Sequence, residues 1–159
     1  MRSETSTKKA LAKRRLVITR IFDAPRERVF QMWTDPKHLA AWWGPKDFTN
    51  PVCEVDARQG GAIRIVMRAP DGAEHPMTGV FSEFNPPERL VFRHAALDRE
   101  GNPIIEAVSI VTFTERDRTT ELHLETHAEA LTSEAAARIA GMEAGWNQSI
   151  DRLAQQLAK

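Results

Sequence analysis

The chain has 159 residues, of which 42% are apolar, and 22 basic side chains balance 22 acidic ones. This length suits one domain with its own core. The balanced charge argues against nucleic acid or an anionic membrane as a partner, because both select basic surfaces. No apolar run approaches the roughly 20 residues that span a bilayer, so we expect no membrane insertion.

The N-terminal residues 1–14 are polar and basic, and they lack the apolar stretch of a secretory signal. We predict a disordered arm, because a terminus with little to bury stays unfolded. The Arg, Ser and Thr content of this segment is also typical of organelle transit peptides. Cys53 is the single cysteine, so an internal disulfide is excluded and a cytoplasmic location is expected.

A strand and two short helices are predicted first. The stretch LVITRIF, residues 16–22, is rich in β-branched side chains and indicates a strand. Asp23 suits the N-cap of a helix and Pro25 its first turn. TDP at residues 34–36 separates this helix from a second one, which Gly44-Pro45 ends.

Six further strands follow, separated by segments rich in Gly, Pro and Asp that turn the chain. Because these connections are short, successive strands are expected to pair as an antiparallel meander. The predicted strands lie near residues 52–58, 61–69, 76–84, 89–95, 105–115 and 119–127.

The segment from Thr132 to the C-terminus predicts one long amphipathic helix. Its apolar face recurs every three to four residues and includes Ile139, Met142, Trp146, Ile150, Leu153 and Leu157. No second helix of this length is available to cover that face, so the helix must lie on the sheet. A sheet of seven strands curls because strands twist, which favours a cavity beneath the helix.

The four tryptophans divide into two groups. Trp33 and Trp42 share helical faces with apolar neighbours and are expected to fill the core. Trp43 points about 100° away from Trp42, so it either joins the core or borders the mouth of the cavity. Trp146 is expected to face the cavity or the sheet beneath it.

Two glycines in the stretch GMEAG, Gly141 and Gly145, interrupt the terminal helix. Each destabilises a helix interior by about 1 kcal/mol relative to alanine. They either let a strand approach closely or leave volume for a ligand beside Trp146, and the pattern does not choose between these explanations.

The histidines could act as metal ligands or as polar groups in the cavity. In HLETH, residues 123–127, alternate side chains lie about 6.6 Å apart on a strand, too far for one Zn²⁺ with bonds of about 2 Å. We therefore expect no metal site there. His94 shares the parity of Phe92, so it is either a hydrogen-bonded core residue or a ligand-orienting or acid–base group.

Other polar residues of the strands remain candidates to line the cavity, because strand parity does not choose among them. They are Glu54, Asp56, Arg64, Glu83 and Glu106. No arrangement typical of a catalytic triad or a phosphate-binding loop is present, so no catalytic residue is assigned. Cys53 carries no signal of a low pKa and is expected to be an inert thiol.

Several stretches, taken together and in this order, resemble a known family. They are ITRIFDAPRERVFQMWTDPKHLAAWWGP, EVDARQGGAIRIVM, PDGAEHPMTGVFSEFNPPERLVF and GMEAGWNQSIDRLAQQLA. The chain resembles the activator-of-heat-shock-ATPase-homologue (AHSA-type) branch of the START-like, or SRPBCC, superfamily, which includes birch-pollen-allergen-like proteins. The resemblance implies one α+β domain over residues 15–159 with a helix-grip fold. In this fold a curved seven-stranded antiparallel sheet wraps around a long C-terminal helix, with two short helices after the first strand.

The resemblance also implies an apolar cavity, which in the wider superfamily holds lipids, polyketides or plant hormones. We therefore predict non-catalytic binding of a small hydrophobic or amphipathic ligand, with no cofactor. Two alternatives stay open: a cavity-based cyclase, dehydratase or hydrolase, and a chaperone-associated interaction protein. A homodimer through open sheet edges also stays open. The predicted ligand-binding residues are Trp33, Trp43, Met67, Phe81, Phe92, His94, Phe113, Met142 and Trp146.

Overall fold

A computed structural model of the chain describes residues 10–159. Its elements follow the predicted order, and the fold is α+β. They are β1 (Ala12–Phe22), α1 (Arg26–Thr34), α2 (Pro36–Trp42), β2 (Thr49–Val55), β3 (Ala62–Arg68), β4 (Glu74–Asn85), β5 (Arg89–Leu97), β6 (Pro103–Arg116), β7 (Thr119–Ala130), α3 (Ser133–Ala140) and α4 (Met142–Leu157).

The seven strands form one curved antiparallel sheet in the order β1-β7-β6-β5-β4-β3-β2. Strands β2 to β7 follow each other as the predicted meander, and β1 adds to the far edge by pairing with β7. Strand β1 begins at Ala12, earlier than the predicted start at residue 16, because Ala12 pairs with Ala130. The predicted arm therefore overlaps this strand, and its residues 1–9 lie outside the described residues.

The two short helices begin and end close to the predicted positions. The prediction that Asp23 caps α1 was wrong, since the N-cap is Pro25 and no side chain caps that helix end. Between α1 and α2 the Asp35 carboxylate accepts a hydrogen bond of 2.9 Å from the Lys37 amide. Pro36 occupies the first turn of α2, where its missing N–H is not needed.

The C-terminal helix was predicted as one continuous element, but it consists of two. Thr132 caps α3 by accepting a hydrogen bond of 3.1 Å from the Ala135 amide, and the helix ends at Gly141, with φ −99° and ψ 8°. The chain then continues as α4. The first segment packs on β7 and β1, and the second packs on α2 and β1. No helix within residues 10–159 is long and apolar enough to cross a membrane.

The concave face of the sheet has two ends of different character. At the first, which we call the filled end, large buried side chains from β5 to β7 pack under α1, α2 and α4. Val111 pairs there with Leu90 and Leu124, and all three are completely buried. Trp42 is also completely buried, and its indole Nε1 donates a hydrogen bond of 2.8 Å to the Met32 carbonyl oxygen.

At the opposite end, which we call the hollow end, the same strands present small side chains. Ala107 of β6 pairs with His94 of β5 on one side and with Ala128 of β7 on the other. Paired inward side chains lie about 5 Å apart, so three short or slender groups in one row leave space above them. The segments α3 and α4 cover this end without filling it.

Candidate functional site

A cavity of about 220 Å³ lies above the hollow end. Its floor is formed by the inward side chains of β5, β6 and β7. Its roof comes from α3 and α4. We call its mouth the side lined by four partly buried residues, Pro45, Met67, His75 and Arg138. The floor includes Ala96, Ala107, Thr126 and Ala128, and the roof includes Ile139, Met142, Gly145, Trp146 and Ser149.

A glycine on the neighbouring strand makes room for the one histidine in the floor. Gly79 of β4 pairs with His94. A Cβ atom at Gly79 would lie 3.1 Å from the His94 Cβ and 2.8 Å from the Arg93 carbonyl oxygen. Both distances are tighter than ordinary carbon contacts, so the absence of a side chain at Gly79 allows the backbone and imidazole of His94 to sit close to β4.

The His94 imidazole is held by a chain of two hydroxyl groups. Its Nε2 lies 2.9 Å from the Ser109 Oγ, which lies 2.9 Å from the Thr126 Oγ1. The other nitrogen, Nδ1, has no partner among residues 10–159 and is not one of their fully enclosed polar atoms. The parity of β5 directs the ring inward, and His94 is one of the residues that line the cavity.

Burial sets the charge of this histidine. The pKa of His94 is lowered from 6.5 to about 4, because the surrounding protein disfavours the charged imidazolium. At neutral pH the ring is therefore uncharged. Which nitrogen carries its proton depends on whether Nε2 donates to Ser109 or accepts from it.

The short distance between Ser109 and His94 suggests a nucleophile–base pair, but the burial of Ser109 excludes that role. A nucleophilic hydroxyl must reach the substrate. Ser109 is completely buried and does not line the cavity. It is therefore a positioning residue, which holds the His94 ring in one orientation.

The adjacent tryptophans take different roles in the structure. Trp42 packs in the core, whereas Trp43, with 8% of its surface exposed, forms a wall of the cavity. The Trp43 ring stands edge-on to the Trp146 ring, with centroids 5.3 Å apart. On its other side Trp146 stacks on Trp33 at 6.2 Å. This aromatic group separates the cavity from the filled end.

The structure brings five of the nine predicted ligand-binding residues to the cavity and places four elsewhere. Those lining it are Trp43, Met67, His94, Met142 and Trp146. The other four lie in the filled end: Trp33, Phe81 and Phe92 border a separate void of only about 10 Å³. Phe113 packs edge-on against Phe30 and Trp33. The reason is that the sequence pattern shows which aromatic side chains point inward, but it does not distinguish those that line a cavity from those that pack in the core next to it.

Two polar residues at the cavity mouth were missed by sequence reasoning. Arg138 of α3 and His75 of β4 both line the cavity and are both half-buried. The pKa of His75 is lowered, first by burial and then by the Arg138 guanidinium. A signal for Arg138 exists in the sequence, because it precedes Met142 by four residues and so shares its helical face.

The glycines of the terminal helix are not sites of close strand approach. A Cβ atom at Gly145 would have the Pro45 Cγ as its nearest neighbour, at 3.8 Å, and one at Gly141 would lie 3.7 Å from the Arg138 carbonyl oxygen. These are ordinary contacts. Gly145 lines the cavity, which favours the explanation that it leaves volume there.

The remaining polar candidates lie outside the cavity. Four of them take part in surface ion pairs: Glu54 pairs with Arg64, Asp56 with Arg58, and Glu83 with Arg89. Glu106 lies on the outer face of β6.

The histidines of HLETH form hydrogen bonds on the outer face of the sheet. His127 Nε2 lies 2.7 Å from a Glu125 carboxylate oxygen, and His123 Nδ1 lies 3.0 Å from the Thr19 Oγ1. Within residues 10–159 no three His, Cys, Asp or Glu side chains are grouped to hold a metal ion. Burial raises the pKa of Cys53 to about 11, so its thiol is protonated and unreactive at neutral pH.

Comparison with known proteins places the chain in a family. The family model described as Activator of Hsp90 ATPase homolog 1-like protein matches residues 23–158. This confirms the resemblance to the AHSA-type branch of the START-like superfamily. No curated protein matches the chain at a significant level.

Solved structures of similar proteins share the whole fold. A protein from Chromobacterium violaceum is 28% identical, with a TM-score of 0.78, covering 91% of this chain and 97% of that one. The structure titled AHSA1 protein from Silicibacter pomeroyi is 26% identical, with a TM-score of 0.77 and coverage of 91% and 98%. A solution structure from Arthrobacter aurescens, 23% identical with a TM-score of 0.81, covers 94% and 92% and shows the fold alone.

Proposed function

We propose that this chain, which belongs to the Activator of Hsp90 ATPase homolog 1-like family, binds a small amphipathic molecule. The binding site is the cavity under its terminal helices. The observation that carries this proposal is the row of His94, Ala107 and Ala128. Large side chains fill the equivalent inward positions at the other end of the same strands. A cavity lined mostly by apolar groups with few polar ones is typical of ligand sites.

The cavity volume limits the size of the ligand. Sites for drug-sized molecules usually measure about 300–1,000 Å³, whereas this cavity holds about 220 Å³. The ligand is therefore smaller than a drug-sized molecule, or part of it extends through the mouth past Pro45 and His75. Met67 and Met142 provide adaptable apolar walls, and Trp146 provides a flat one. Such walls suit the apolar part of an amphipathic ligand.

The test is binding of a panel of small amphipathic compounds, followed by native mass spectrometry and by the shift in melting temperature. A ligand at about 100 times its Kd stabilises the native state by about 2.7 kcal/mol. Ala107→Leu fills the floor and should abolish this shift. Ala95→Leu, on the outward face of the same strand as His94, is the matched control and should retain it.

Two outcomes would contradict the proposal. One is that no compound in the panel raises the melting temperature or remains bound in the mass spectrometer. The other is that Ala107→Leu binds as well as Ala95→Leu, which would place any bound compound outside the cavity.

A catalytic function is the second candidate, and the environment of His94 favours it. A cavity-facing group with a strongly shifted pKa is a feature of many active sites. Among residues 10–159 no Asp or Glu lines this cavity, and His75 lies at its mouth, so His94 would act as the acid–base group on the floor. Mass spectrometry of compounds incubated with the wild type and with His94→Gln would test this function. A catalyst converts a compound into a product, and only the wild type should form that product.

A further inference from the structure

The charged side chain at the cavity mouth is basic. Among the described residues 10–159 that line the cavity, Arg138 is the only Lys, Arg, Asp or Glu. Within residues 10–159, no carboxylate lies within 4.0 Å of its guanidinium. A half-buried arginine with no acidic partner keeps its charge and its fork of donors available for a ligand.

Nearby groups do not neutralise this charge from within the cavity. Glu134, one turn earlier on α3, and Asp71, in the β3–β4 turn, are both exposed and neither lines the cavity. Their negative charges raise the pKa of His75, but each acts on it less than the Arg138 guanidinium does, and solvent screens exposed charges. His75 itself has a lowered pKa and is uncharged at neutral pH. The charge that a ligand meets at the mouth is therefore positive.

A simpler role for Arg138 is stabilisation of α3. It lies in the last turn of that helix, where a positive charge is favoured by the helix dipole. That role concerns folding alone and carries no preference among ligands. The two roles are therefore separable by measuring binding and melting temperature on the same variants.

We propose that the cavity selects amphipathic monocarboxylic acids, an inference that rests on the proposed function. The guanidinium of Arg138 binds the carboxylate at the mouth, where its planar fork matches the two oxygens. The apolar body lies between Trp146 and the floor at Ala107. His94 provides a hydrogen bond on the cavity floor for a ligand whose body carries a polar atom.

The experiment compares octanoate, octanamide and octylamine, which match in size and differ in charge at neutral pH. Isothermal titration at low ionic strength should show that the wild type binds octanoate most tightly and octylamine least. Arg138→Gln should weaken octanoate binding by about tenfold and leave octanamide binding unchanged. Arg138→Lys should fall between, because an ammonium keeps the charge without the fork.

Arg118→Gln is the control for net charge, because Arg118 is exposed in the β6–β7 turn at the opposite end of the sheet. It should bind octanoate like the wild type. If octanamide binds as tightly as octanoate, or if Arg138→Gln loses both ligands equally, the acid selectivity is overturned while ligand binding in the cavity stands. If neither compound binds and the wider panel also fails, the proposed function falls, and the selectivity falls with it.

Discussion

The filled and hollow ends of the concave face are built by the same strands, and they differ in the size of the inward side chains and in the helices that cover them. On β6, Val111 and Phe113 face the core at one end, whereas Ala107 faces the cavity at the other. On β7 the inward residues likewise change from Leu124 to Ala128. Backbone pairing continues without interruption through both ends. The cavity therefore arises from a few small residues in register, and the strands need no separate architecture to form it.

This difference implies that the two ends contribute unequally to stability and to binding. Close packing makes a core sensitive to the loss of a single methylene. A side chain that already borders a void has fewer contacts to lose. We therefore expect substitutions at the filled end to change mainly stability, and substitutions at the hollow end to change mainly ligand binding.

The largest expected effect is the truncation of a tryptophan at the filled end. Trp42→Ala should lower the free energy of unfolding by about 3–5 kcal/mol, because it leaves a cavity and removes the hydrogen bond to the Met32 carbonyl. Trp43→Ala, at the cavity wall, should lower it by less. Urea unfolding followed by circular dichroism measures both values. Equal losses in the two variants would contradict the division between core and wall.

The second expected effect is a pH dependence that comes from the hollow end. His94 has a pKa of about 4 in the folded chain and about 6.5 when unfolded, so the unfolded state binds a proton more readily. Stability is therefore lost as pH falls below 6.5, and the loss levels off near pH 4. Each pH unit in this window is worth about 1.4 kcal/mol, which gives a total of up to about 3 kcal/mol.

The variant His94→Gln should lack this part of the pH dependence, since its amide does not titrate. Urea unfolding at a series of pH values, with the exposed His38→Gln as the control, isolates the contribution of His94. A wild type and a His94→Gln variant with parallel pH profiles would show that the ring is not buried in the native state.

The third expectation compares enlargement at the two ends. Val111→Phe should destabilise the chain by about 1–3 kcal/mol, because the filled end has no room for added atoms. Ala107→Leu should be neutral or stabilise by about 0.5–2 kcal/mol, as is usual when a cavity is filled. Melting temperatures report the sign of each change. A large destabilisation by Ala107→Leu would mean that the floor of the cavity does not accept a larger side chain.

The smallest expected effect is at the roof. Gly145→Ala should raise the free energy of unfolding by about 0.5–1 kcal/mol, since glycine is disfavoured inside a helix and the new Cβ would be 3.8 Å from the Pro45 Cγ. Thermal unfolding in the absence of ligand is the measurement. A loss of stability instead would indicate that the α4–Pro45 contact is tighter than ordinary packing.

Much of the fold was predictable because its signals are local. Turn residues marked the strand ends, and the break between α1 and α2 followed from Pro36. The division of the terminal helix at Gly141 was missed, because the apolar period continues through it and a glycine, which costs a helix only about 1 kcal/mol, does not by itself predict a break. Strand β1 was predicted too short, since the pairing of Ala12 with Ala130 depends on residues far along the chain.

The site was predictable only in part. The parity of β5 correctly directed His94 inward, but its partners Ser109 and Thr126 come from two other strands. Similarly, the direction of Trp43 depends on Gly44, whose φ of +98° turns the chain sharply after α2. Arg138 was overlooked because a charged residue beside an apolar stripe is usually solvated, and only packing shows that it borders a cavity.

Patterns in the sequence were enough for the element order, the antiparallel meander, the inward direction of His94 on β5, and the family. These follow from periodicity, turn chemistry and motifs, all of which act over short stretches of chain. The position of the hollow and the groups that surround it depend instead on contacts between distant parts of the chain. Strand register brings Ala107, Ala128 and His94 into one row, and the volume above them depends on how α3 and α4 cross the sheet.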